Sequence, residues 1–188
     1  MIDISHGTDE VINQVLDMTD VPVIASHSSC RYFTPGWERN MGDDEIRRLK
    51  DNGGVIQINY GSSFITQASQ DKRAANAEKI NIYAEKNGLS AEDKAFQLYA
   101  KKVNEENPIY ADVTEVIDHF DRVVELAGID HVGIGSDYDG VEIMPTGLEN
   151  VSKLPFLTKK LIEHGYTIRE VRKILGGNFK RIFKEVCK

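Results

Sequence analysis

Short apolar runs alternate with amphipathic stretches along most of this chain. Residues 2–6, 21–26, 55–60 and 131–135 are runs of five or six residues dense in Val and Ile. That is the length and texture of strands covered on both faces. Between them the apolar positions change to helical spacing. Val11, Ile12, Val15 and Leu16 follow Thr8, which can cap a helix whose first turn holds Asp9 and Glu10. Asp43 or Asp44 opens a second helix with Ile46 and Leu49 facing inward, and Asn52-Gly53-Gly54 stops it. Val113, Val116, Ile117, Phe120, Val123, Val124 and Ala127 form a stripe that ends at Gly128. Leu154, Leu157, Leu161 and Ile162 mark a further helix before Gly165, and Thr167 with Glu170 forms a capping box for the next. Gly176-Gly177 then precedes a last helix through Phe179, Ile182, Phe183 and Val186.

Strands alternating with helices predict an α/β fold of parallel (β/α) units. Four strands are visible where a closed (β/α)8 barrel takes eight. The expectation is therefore half of a TIM-like barrel, in a single domain over residues 1–188. One segment breaks the rhythm. Residues 62–107 are rich in Ala, Lys, Glu and Gln and read as two amphipathic helices parted at Asn87-Gly88, with Ser90 and Asp93 arranged to cap the second. A helical insertion of this kind forms a lid or a packing extension, and its lysines and glutamates form a solvated face.

Composition narrows the function. With 40% hydrophobic and 28% charged residues, the 188-residue chain is globular and large enough to bury a core. A net charge of −7 lacks the basic face that nucleic-acid binding needs. No apolar run is long enough to span a bilayer, and no secretory leader is recognisable, so a cytoplasmic location is expected. Cys30 and Cys187 are too few and too far apart for a disulfide framework. Cys30 follows His27 by three residues, yet it reads better as a small residue in the loop leaving the strand than as a ligand.

The candidate chemistry lies where the strands end. His6 and His27 close two consecutive strand runs, Asn59 sits near the end of the third, and Asp137 follows the fourth. Neighbouring strands lie about 4.8 Å apart, so side chains at adjacent strand ends can converge on one ion. Imidazole with carboxylate is the donor set of a hydrolytic metal site. Asp137 and Asp139 could also form only a turn before Gly140. His119, among acidic neighbours on a helix, reads as structural. His131 belongs to the opposite end of its strand and His164 to a helix end, so neither is a ligand candidate. Trp37 and Tyr138 could wall a pocket or simply pack.

Several segments taken together resemble one family. Asp3-Ile4-Ser5-His6, Val23-Ile24-Ala25-Ser26-His27-Ser28-Ser29, Glu38-Arg39-Asn40, Gly53-Gly54-Val55-Ile56, Val132-Gly133-Ile134-Gly135-Ser136-Asp137-Tyr138-Asp139-Gly140 and Gly176-Gly177-Asn178-Phe179 occur in the order found in the membrane (renal) dipeptidase family of zinc metallopeptidases. The resemblance implies a (β/α)8 barrel that hydrolyses dipeptides with two bridged zinc ions. It implies that His6 and His27 bind one zinc, that Arg39 grips the substrate carboxylate, that Asp137 handles the proton of the attacking water, and that Asp139 lines the substrate pocket. The family's remaining ligands, a His-x-Asp pair and a bridging glutamate, lie ahead of the region that this chain matches, and no His-x-Asp occurs here. The expected role is thus the carboxyl-terminal half of a dipeptidase, either pairing with a separate amino-terminal half or self-associating. The alternative is a non-catalytic half-barrel serving as an oligomerisation or binding module.

Overall fold

The computed structural model describes residues 1–141 and 143–187. Its centre is a parallel sheet of three strands in sequence order, β1 (Ile24–Ser28), β2 (Val55–Asn59) and β3 (Val132–Ser136). Helices α1 (Asp9–Met18), α2 (Asp43–Asp51), α6 (Val113–Ala127) and α7 (Leu154–His164) supply the crossovers and the outer layer. Between β2 and α6 stand α3 (Ser62–Ile65), α4 (Gln67–Asn87) and α5 (Lys94–Glu106). The chain closes with α8 (Ile168–Arg172), a wide turn over Lys173–Gly177 and α9 (Asn178–Val186). Among the described residues, no helix is long and apolar enough to cross a membrane.

The first expected strand is the main departure. Residues 2–6 make a single parallel bridge, Asp3 to Ile24, through Ile24 N–H to the Ile2 carbonyl (3.0 Å) and Ile4 N–H to the Ile24 carbonyl (2.8 Å). The pairing stops there because the chain turns. Gly7 N–H reaches back to the Ile4 carbonyl at 3.1 Å, and His6 adopts φ 67°. The second run is shifted, covering Ile24–Ser28 instead of residues 21–26. Pro22 has no N–H to give, and Val23 gives its own to the Asn52 side chain (2.9 Å), so the ladder starts at Ile24.

Alternation along the strands divides the core. Ala25, Ile56, Ile58 and Val132 pack with Ile46, Leu49, Val116 and Phe120 of the outer helices. Ile24 and Val55 pack with Ile182 of α9 at the amino-terminal end of the sheet. Local signals explain the helix ends. Thr8 caps α1, accepting from Val11 N–H, and Gly88 in the left-handed region (φ 61°) ends α4. Thr167 with Glu170 forms the expected box on α8, and Asp112 with Glu115 forms a second on α6. The Ser90–Asp93 pair works in reverse of expectation. Asp93 stands at the cap of α5, and its Oδ2 accepts the Ser90 N–H (2.7 Å) and hydroxyl (2.9 Å), closing the preceding turn. In the insertion, α4 and α5 are joined by stacked Tyr83 and Tyr99 and by the buried amide of Asn76, which donates to Asn104 (3.1 Å) and to the Asn107 carbonyl (3.0 Å).

Candidate active site

Two irregularities in the sheet shape its carboxyl-terminal rim. Ala25 pairs with Ile56 and Ser28 with Ile58, so Ser26 and His27 share the space opposite Gln57. Ile58 pairs with Ile134 and Asn59 with Ser136, so Gly135 is likewise an extra residue. Such bulges bend a strand and re-aim its side chains. At Gly135 the crowding is direct, since a Cβ there would lie 2.4 Å from the Gln57 carbonyl and 2.7 Å from that of Ser26.

His27, on the β1 bulge, meets His6, on the turn after the Asp3 bridge. Their Nε2 atoms are 2.9 Å apart and their rings meet edge to face at 4.9 Å. The opposite ring nitrogen of His27 lies 2.7 Å from Ser26 Oγ, which is 2.5 Å from Asp3 Oδ2. Burial raises the Asp3 pKa, but the Ser26 hydroxyl and the N–H groups of Ser5 and Ser26 outweigh it and hold the carboxyl below its ordinary value. The His6 imidazole is also held low, first by desolvation and then by the charges of Arg39 and His27.

Arg39 arrives on the loop between β1 and α2. Cys30 and Met41 bridge across the base of that loop. Buried Asn40 ties its far side to Thr34 and to the Phe64 carbonyl, both at 2.8 Å. The part-buried Arg39 guanidinium lies 5.3 Å over the Phe64 ring. It donates to the His27 carbonyl (2.8 Å) and the Ser28 hydroxyl (3.2 Å), and Nη2 lies 3.3 Å from His6 Nε2. These three partners are uncharged, so none of them neutralises the cation.

Asp137 follows β3 in a left-handed conformation (φ 66°), after Ser136 at φ 26°. Its Oδ2 accepts from the buried Asn59 amide at 2.8 Å, and Asn59 is itself fixed by Gly61 N–H at 2.7 Å. The carboxylate folds back over Gly140, where any Cβ would lie 2.2 Å from Oδ1. Its charge acts on both His6 and Arg39. Among the described residues, His6, Ser136 and Asp137 are the non-glycine residues with positive φ. All three stand on this rim. Each such conformation costs on the order of 1–3 kcal/mol and persists where surrounding structure enforces it, most often at functional sites.

The structure thus brings together His6, His27, Arg39 and Asp137. Asp139 is exposed on the following loop. Trp37 packs on Phe64 (4.6 Å) and lines a cavity of about 450 Å³ beside α4, together with Arg73, Asn76 and Ile109. Tyr138 instead packs into the core, edge-on to Tyr60. Buried Cys30 donates its N–H to His119 Nδ1 (3.0 Å) and turns its thiol to the His119 carbonyl (3.6 Å), and burial pushes the thiol pKa up. Sequence reasoning missed Asp3 and Ser26. Their signal was a polar residue interrupting each apolar run.

The donor set accommodates part of a metal sphere. Two imidazole nitrogens converge with a carboxylate nearby, but among the described residues no group of three or more His, Cys, Asp or Glu side chains is placed to hold an ion. A catalytic zinc takes three protein ligands and an open position, and the two imidazoles alone fall one short of that set.

Comparison with known proteins agrees with this architecture. The chain is 33% identical over 186 residues to a Schizosaccharomyces pombe protein named as an uncharacterized dipeptidase, covering 98% of this chain and 35% of that one. It is 31% identical over 186 residues to Dipeptidase 3 of Mus musculus, covering 99% and 29%. Among solved structures, the probable dipeptidase PvdM from Pseudomonas aeruginosa superposes with a TM-score of 0.78 at 27% identity, covering 99% of this chain and 50% of that one. A metallopeptidase from Rhodobacter sphaeroides, liganded with a phosphinate mimic of the dipeptide L-Ala-D-Ala, has the same fold, with a TM-score of 0.73 at 24% identity and 98% and 42% coverage. The chain therefore spans half or less of the length of these relatives, and its fold is half of a TIM-barrel-like one. The profile of the membrane dipeptidases (Peptidase family M19) matches residues 1–188, and the chain belongs to that family.

Proposed function

We propose that this chain is the carboxyl-terminal half of a zinc-dependent dipeptidase, contributing one metal's histidines, the carboxylate clamp and the proton-handling acid. The observation that carries the proposal is the convergence of His6 and His27, Nε2 to Nε2 at 2.9 Å, with Arg39 and Asp137 around them. Zinc, when bound, would lower the pKa of a coordinated water and polarise the scissile carbonyl. The other roles belong to this chain's residues. Arg39, already desolvated and held by neutral partners, presents a two-pronged donor suited to the free carboxylate of a dipeptide. Asp137, steadied by Asn59, takes a proton from the attacking water and gives it to the leaving amine. The strained turn over Ser136 and Asp137 holds the carboxylate close enough for its charge to act on His6. Missing ligands would come from a complementary half, and the pairing expected from the sequence is part of this proposal.

The experiment is a zinc titration with dipeptide hydrolysis, on the chain alone and mixed with the amino-terminal half of a full-length family member. Hydrolysis by the mixture should depend on zinc, disappear in His27→Ala, and fail on dipeptides whose carboxyl group is amidated. Zinc-independent binding of the two halves without turnover would instead favour the non-catalytic module.

A further inference from the structure

A row of side chains behind His27 has a direction built into it. Asp3 is fixed first, because Oδ1 accepts the N–H groups of Ser5 (3.0 Å) and Ser26 (3.1 Å). That orientation presents Oδ2 to Ser26 Oγ at 2.5 Å. A carboxylate only accepts hydrogen bonds, so the Ser26 hydroxyl hydrogen points to Asp3. Ser26 Oγ also lies 2.7 Å from His27 Nδ1. With its one hydrogen committed, the hydroxyl can only accept there, and Nδ1 must carry the ring proton. A neutral imidazole has one N–H, so Nε2 keeps its lone pair, and Nε2 is the atom facing His6.

We propose that Asp3 and Ser26 are positioning residues that set the tautomer of His27 and thereby present Nε2 as a cation ligand. The identity of the cation rests on the dipeptidase reading, whereas the tautomer does not. The row is built across the short pairing of residues 2–6 with β1, and His27 N–H donates to Ser5 Oγ (3.0 Å) across the same seam. This gives the single-bridge segment a function that its length would not suggest. It is the arrangement by which a second group fixes the orientation of a metal-binding histidine.

A one-atom change inverts the row. In Asp3→Asn, the N–H groups of Ser5 and Ser26 select the amide oxygen, which turns the amide nitrogen toward Ser26. Ser26 must then accept from Asn and donate to His27 Nδ1, moving the ring proton to Nε2. Ser26→Ala only removes the middle member and leaves the bond from Asp3 to Ser5 intact, so the ring is left unbiased.

The test is long-range proton–nitrogen NMR of the histidine-labelled chain at about pH 8, without metal, followed by zinc titration against a competing chelator. The wild-type chain should show His27 protonated at Nδ1, Asp3→Asn at Nε2, and Ser26→Ala a mixture. Zinc affinity should fall about 10- to 100-fold in Asp3→Asn and less in Ser26→Ala. A wild-type ring protonated at Nε2 would overturn the proposal, as would variants that lose affinity with the tautomer unchanged. If Asp3→Asn does not fold, Ser26→Ala decides alone, and an unchanged tautomer there overturns it. A wild-type chain with the Nδ1 proton that binds no zinc even when mixed with the amino-terminal half upholds the row and removes the metal reading instead.

Discussion

The two ends of the sheet use the same kinds of side chain to opposite purpose. At the amino-terminal end, polar groups are spent on backbone carbonyls. Asn178 donates to Ile129 (2.7 Å) and Val132 (2.8 Å), Arg181 to Gly53 (2.8 Å) and Asp130 (2.9 Å), and His131 meets the Gly54 carbonyl at 2.8 Å. Ile182 fills the space between Ile24 and Val55. At the carboxyl-terminal rim, His6, His27 and Arg39 face one another, and three residues hold positive φ. One end commits most of its polar groups to backbone carbonyls, while the other keeps lone pairs and charge available at a cost in backbone strain. The contrast shows that residue type does not mark a site. What marks it is whether the chain has already used the group's bonding capacity.

The comparison can be broken most forcefully at the closed end. Ile182→Ala should cost about 3–4 kcal/mol, by lost burial and the cavity left behind. Urea unfolding measures this, and zinc binding by the folded fraction should not change. A nearly equal effect should come from acid through His119, which lies beneath the rim. Its Nδ1 accepts from Cys30, Nε2 donates to the Ile65 carbonyl (2.9 Å), and burial lowers its pKa to about 4. The unfolded chain takes up this proton near the ordinary value of about 6.5, the folded one only near 4. Stability is therefore fully present above about pH 6.5 and lost as pH falls toward 4, by about 3 kcal/mol. In His119→Gln this slope should be missing from urea midpoints measured across that range.

Much of the fold was legible because its signals are local. Thr8, Gly88 and the Thr167–Glu170 box act within one turn of chain, and the helical stripes follow from spacing alone. The strand ends were less so. An apolar run cannot show that the Val23 N–H will go to the Asn52 side chain, while only its carbonyl meets a neighbouring strand. Nor can it show that Ser26 and His27 will crowd opposite one residue. The site divides in the same way. His6, His27 and Asp137 stood out as polar residues closing apolar runs. Asp3 and Ser26 did not, because their importance lies in a contact between segments over twenty residues apart.

Two smaller effects sharpen the contrast. Asn178→Ala, which strips one buried and one part-buried carbonyl of a donor, should lower stability by about 2 kcal/mol in urea and leave the rim's chemistry alone. His6→Gly should do the reverse. By relieving a left-handed backbone it should raise stability by about 1 kcal/mol while weakening zinc binding at least tenfold. Calorimetry and chelator competition on the same sample would separate the two. A destabilised His6→Gly chain would mean that the rim is not strained.

The surplus residue in β1 makes this centre depend on chain length as well as on residue identity. Deleting either Ser26 or His27 would restore a one-to-one ladder against β2. The result would be a straighter and more regular sheet. Loss of Ser26 would keep the imidazole in the chain but abolish the crowding that aims it at His6. For this rim, a tidier fold would be an inert one.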